Sequence, residues 1–90
     1  MEFEWDDEKA AANIAKHGIS FDEAKTVFDD PLYVDFYDPD HSFDEHRYII
    51  IGESQPRRLL IISYTERDNV IRLISAREVT RSERETYEEG

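Results

Sequence analysis

The sequence contains no cysteine, which excludes disulfides and thiolate metal centres as supports for the fold. Glycine and proline number three each, and no Gly/Ser linker, repeat or low-complexity tract is present. No apolar run approaches the roughly 20 residues that span a bilayer as a helix. The opening "MEFEWDDE" is acidic where a signal peptide would be basic. These absences predict a soluble, cytoplasmic protein with no membrane partner. Bases are also scarce. Eleven Lys and Arg stand against 22 Asp and Glu, for a formal net charge of -11. A charge of this sign repels nucleic acid at long range and favours basic partners.

The deficit is uneven. Residues 1–46 hold three lysines and fourteen acids, whereas residues 47–90 hold eight arginines and eight acids. Arginine is the stronger bidentate ligand for phosphate and carboxylate, so a local cationic site can exist inside an acidic envelope. Ninety residues predict one domain, residues 1–90. A chain of this size buries only about 60–65% of its unfolded surface, so the core is modest.

Asp6 or Asp7 can cap a first helix through "EKAAANIAKH", with Gly18 just past its end. Ser20 and Glu23 have capping-box spacing. Phe21, Ala24, Val27 and Phe28 give a second helix its apolar stripe, and Pro31 stops it. The period then changes to two. "LYVDFY", "HRYIIIGE", "RLLIISYTE" and "VIRLISAR" read as four strands, the last three joined by the turns "SQPR" and "RDN". Thr80 and Glu83 repeat the capping-box spacing and open a short C-terminal helix, "RSERETYEE". The predicted class is α+β, with two N-terminal helices packed on a four-stranded antiparallel sheet.

At 100° per residue, Lys9, Asn13, Lys16 and His17 share a stripe about 100° wide along the first helix. Lys16 and His17 at its C-terminus complement the helix dipole, which accounts for them without any further role. In the third strand Leu59, Ile61, Ser63, Thr65 and Arg67 share one parity. In the fourth, Ile71, Leu73, Ser75 and Arg77 share one, and Arg72 has the other. As surface salt bridges these arginines would contribute about 0–1 kcal/mol each. His41 and His46, with Asp38, Asp40, Asp44 and Glu45, lack the fixed spacing of a calcium loop or a helical zinc motif, so no metal or other cofactor is expected. Phe3, Trp5 and Tyr87 read as packing residues.

Several strings together resemble the BrnT family of bacterial toxins. "FEWDDEKAAANIAKHGISFDEAKTVFDDP" resembles that family's opening. "HRYIIIGES", "RLLIISYTER" and "IRLISAREVTRSERETYE" resemble its middle and end, in order. The resemblance runs from Phe3 to Glu88. It implies a RelE-like fold, RNA cleavage that inhibits translation, and neutralisation by a BrnA-type antitoxin with a ribbon-helix-helix DNA-binding part. DNA would be met only through that antitoxin, in repression of the operon.

Metal-free RNA cleavage needs a base for the 2′-OH, an acid for the leaving 5′-oxygen and cations for the phosphorane. Imidazole exchanges protons readily near neutral pH, which makes His17 the expected base or acid, with Glu45 as a second base. Lys16, Arg67 and Arg77 are the expected phosphate ligands. Lys9, Asn13, Arg47 and Arg72 are expected to extend the RNA contact. A rival reading is a binding module whose acidic first half grips a basic, DNA-binding antitoxin without catalysis. Convergence of Lys16, His17, Arg67 and Arg77 in one concave patch would favour the enzyme.

Overall fold

A computed structural model describes residues 1–41 and 45–90. Asp44, weighed above as part of a metal cluster, lies outside the described residues. The strands are β1 (Glu2–Glu4), β2 (Val34–Asp38), β3 (Arg47–Glu53), β4 (Leu59–Arg67) and β5 (Val70–Glu78). The helices are α1 (Asp7–His17), α2 (Phe21–Ala24) and α3 (Arg81–Glu89), and α2 tightens into a 3₁₀ turn over Lys25–Asp29.

The helix signals act as the residue types require. The Asp6 carboxylate accepts from the N–H of Glu8 at 2.8 Å and of Lys9 at 3.2 Å, satisfying donors the first turn leaves open. Gly18 ends α1 at φ 71°, and its N–H donates to the Ile14 carbonyl at 2.8 Å. That left-handed geometry favours glycine. The Ser20 hydroxyl accepts from the Glu23 N–H at 3.0 Å. The reciprocal half of this box is not made, because the Glu23 carboxylate is diverted. Arg58 Nε donates to it at 2.9 Å and Ser54 Oγ at 2.7 Å. Those bonds hold the carboxyl below the ordinary glutamate range, Arg58 contributing most, and tie α2 to the β3–β4 turn. At Thr80 both halves of the box are present.

The sheet has five strands, not four, in the order β1-β5-β4-β3-β2. It is mixed, because β1 runs parallel to β5 with Phe3 opposite Ile71. Three residues are too few to read as a strand, and their partner lies at the far end of the chain. Packing holds β1 in place: Phe3 meets Phe28 edge-on at 5.1 Å and Trp5 meets Phe21 at 5.9 Å. The other pairings are antiparallel. Asp68 and Asn69 both have positive φ, 52° and 68°, as a two-residue type I′ hairpin demands.

One face of the sheet packs under the helices. Ile19, Phe21, Ala24 and Val27 meet Ile50, Leu60, Ile62, Ile71, Leu73 and Ala76, all essentially buried. Each large side chain there contributes about 1.5–3 kcal/mol of transfer free energy. A β-bulge decides what the other face carries. Ser63 faces Ser75, but Tyr64 faces Leu73, so Ile74 is an extra residue. The single parity expected for residues 71, 73, 75 and 77 is therefore broken. Ile71 and Leu73 point into the core, while Ser75, Arg77 and also Arg72 project from the opposite face. Pinning α3 to the rest of the fold, the Tyr87 hydroxyl donates to Asp30 at 2.7 Å.

Candidate functional site

Asn13, expected to touch RNA, is only 6% exposed. Strand β1 covers β5 only from Val70 to Arg72, so the edge of β5 is open beyond that point. The Asn13 amide fills the gap as a further strand would. Its NH₂ donates to the carbonyls of Ala76 and Ile19, both at 2.8 Å, and its oxygen accepts from the Ala76 N–H at 3.0 Å. Both donor hydrogens are used inside the fold, which removes Asn13 from any RNA-facing set.

Lys9 and Lys16 are exposed on α1, and His17 beside them is half-buried. Helix α1 lies on the core face of the sheet, whereas the arginines project from the opposite face. Lys16 and His17 line neither of the cavities on that opposite face. Neither cavity brings Lys16 and His17 together with Arg67 and Arg77, which themselves line different cavities.

On the face opposite α1 and α2, part of which α3 meets through the Arg77–Glu83 pair, the register aligns Asp38, Arg47, Thr65, Arg72 and Glu4 in one rung across all five strands. Two cations thus sit either side of a threonine, with a carboxylate at each end. Arg72 Nη1 lies 3.7 Å from Glu4. Two cavities are lined in part by residues of this rung. The larger, about 560 Å³, brings Glu45, Arg67 and Arg72 together, with His46 and Thr65. The smaller, about 340 Å³, holds Arg47 and Arg77 with Asp38, His41, Ser63 and Ser75. A third cavity of about 340 Å³ lies elsewhere and carries Asp29, Asp30 and Glu53, a lining that repels phosphate.

Arg77 enters the site already neutralised. Its two terminal nitrogens donate to Glu83 at 2.8 and 2.9 Å. This fork, despite partial burial, holds the Glu83 carboxyl down at about 2. Arg77 therefore anchors α3 and lines the cavity, rather than offering a free charge.

Two residues gain weight that the sequence pattern did not assign them. Asp38 precedes the 3₁₀ turn Pro39–His41 and His41 ends it, and three residues per turn bring the two to one side. His41 Nδ1 lies 2.9 Å from the Asp38 carboxylate, which leaves Nε2 as the atom able to meet a substrate. His46 Nδ1 lies 3.2 Å from the Tyr37 hydroxyl. The spacing Asp38-x-x-His41 was the available signal, and a carboxylate-oriented imidazole is a proton-transfer device.

The comparisons agree with this architecture. A family model described as "Ribonuclease toxin, BrnT, of type II toxin-antitoxin system" matches residues 5–83. The crystal structure of the Brucella abortus ribonuclease toxin BrnT, at 1.1 Å resolution, is similar in fold, with a TM-score of 0.65 and 23% identity. That likeness covers 90% of this chain and 99% of the other. No curated protein sequence matches. With most of its length inside the family pattern, and with the fold of a solved relative, the chain belongs to the BrnT family of ribonuclease toxins of type II toxin-antitoxin systems.

Proposed function

We propose that this chain is an endoribonuclease that cuts RNA on the face of its sheet opposite α1 and α2, without a metal, and so halts translation in the cytoplasm. A BrnA-type antitoxin neutralises it, and the antitoxin's ribbon-helix-helix part carries the complex to its own operon. The observation that carries the catalytic reading is the Asp38–Arg47–Thr65–Arg72–Glu4 rung with the Asp38–His41 pair at its end.

The chemistry follows from those groups. The ribose 2′-oxygen attacks the adjacent phosphorus, and His41 Nε2 takes its proton. The P–O5′ bond breaks as the 5′-oxygen receives a proton from the imidazolium of His46, which lines the larger cavity. The products are a 2′,3′-cyclic phosphate and a 5′-hydroxyl end. Arg47 and Arg72 face the charge that builds on the phosphorane, and Arg67 extends the phosphate track. Lys16 and His17 stay outside this mechanism.

The test is incubation of the purified chain with RNA in EDTA, with and without the product of the neighbouring gene. His41→Ala is expected to slow cutting about 10²–10⁴-fold, the usual contribution of a general base. Arg72→Ala should also slow it, and His17→Ala should leave it unchanged. Loss of cutting in His17→Ala with His41→Ala fully active would overturn the assignment. The rival reading, an inactive module that grips a basic DNA-binding partner, is favoured by the fourteen acids of residues 1–46 and by the neutralised Arg77. It requires tight partner binding by a chain that leaves RNA intact.

A further inference from the structure

Strand β2 ends the sheet on one side. Alternate residues of such a strand direct N–H and C=O groups outward, a template for another chain. Soluble proteins usually blunt such an edge with lysine, proline or a bulge. Strand β2 has none of these: it pairs with β3 through all five residues without a register shift. It also presents aromatic side chains on both faces, with Phe36 and Tyr37 each 44% exposed. Leu32 and Tyr33, just before it, are 70% and 44% exposed.

Charge selects what can dock there. Residues 29–45 contain seven Asp and Glu and no Lys or Arg. A second copy of β2 would set acid against acid, and like charges across paired strands are destabilising. RNA is repelled for the same reason. We infer that the β2 edge accepts an extended segment of a basic partner protein, Lys or Arg alternating with apolar residues, added as a sixth strand. Main-chain bonds to β2 hold it, its apolar residues cover Phe36 and Tyr37, and its cations meet Asp35, an exposed acid of β2 itself. The acids thus admit a basic strand and keep the edge from pairing with itself. The inference rests on the reading above only in taking that segment to belong to the neutralising partner.

The probe is a synthetic ten-residue peptide alternating Lys or Arg with Val or Ile, added to the full chain. Amide hydrogen exchange in β2 should slow at least tenfold on binding, with NMR shifts concentrated at residues 34–38. Asp35→Lys should weaken the peptide at least tenfold, and Asp35→Asn by less. A peptide with Glu in place of its bases should not bind. Failure of the basic peptide to bind, protection centred on the arginine rung, or affinity indifferent to the charge variants would each overturn the inference. So would self-association of the unmutated chain through β2. RNA cutting is measured on the same samples. Absent cutting would sink the catalytic reading and leave the edge result standing.

Discussion

Replacing Asn13 by alanine separates a groove residue from a clamp. The substitution removes three buried hydrogen bonds and strands three backbone groups: the Ile19 carbonyl and both the N–H and C=O of Ala76. A buried polar group left without a partner costs about 1–3 kcal/mol. Water entering beside the open edge of β5 recovers part of that, so the expected loss is about 3 kcal/mol. Against a total stability of about 5–15 kcal/mol this is a large share. It should lower Tm by roughly 12–24 °C, at 4–8 °C per kcal/mol for a domain of this size. Urea unfolding is the assay, read as a fall in midpoint at constant slope. Asn13→Asp should lose at least as much, since it keeps the acceptor for Ala76 but sets a carboxylate against two carbonyl oxygens. A loss below about 1 kcal/mol for Asn13→Ala, accompanied by weaker RNA binding, would refute the clamp and restore the helical groove.

Glu83→Gln probes the Arg77 fork by pH. The Glu83 carboxyl is lowered from 4.5 to about 2, so its stabilisation is complete above about 4.5 and fades as pH falls toward 2. That drop is worth at most roughly 3 kcal/mol, and solvent screening at the Arg77 side chain, 42% exposed, reduces it to about 1–2 kcal/mol. The variant should therefore be destabilised at pH 7 and approach the parent by about pH 2 in urea titrations; an equal gap at both pH values would refute the ion-pair account. Gly52→Ala tests close packing of the 3₁₀ turn on β3. A Cβ there would lie 2.9 Å from Val27 Cγ1 and 3.2 Å from Asp30 Oδ2. Overpacking of this kind costs about 1–3 kcal/mol, and Val27→Ala in the same chain should recover part of the alanine's penalty, as a double-mutant cycle would register.

Local signals were legible because their physics is local. Asp6, Gly18, Ser20 and Thr80 mark helix ends by side-chain bonds or a left-handed φ a few residues away. Asp68 and Asn69 mark a hairpin for the same reason. The four long strands and the α+β class followed from period and turn spacing. The Ser20–Glu23 capping box was legible only in part, since Glu23 answered to Arg58, 35 residues away.

What tertiary structure alone decided is the set of groups that share a face. Helical spacing put Lys9, Asn13, Lys16 and His17 on one stripe, but only packing could turn Asn13 inward onto Ala76. Parity put Leu73 and Arg77 together, but the extra residue Ile74 set them on opposite faces of the sheet. The rung from Asp38 to Glu4 assembles residues from five strands, one of them too short to read. Sequence by itself determined the helix ends, the turns and the alternating runs, because each rests on neighbours along the chain. The arginine-bearing face, its paired Asp38 and His41, and the absence of His17 from the cavities that hold the arginines depend on pairing register and layer packing, which residues distant in sequence settle together.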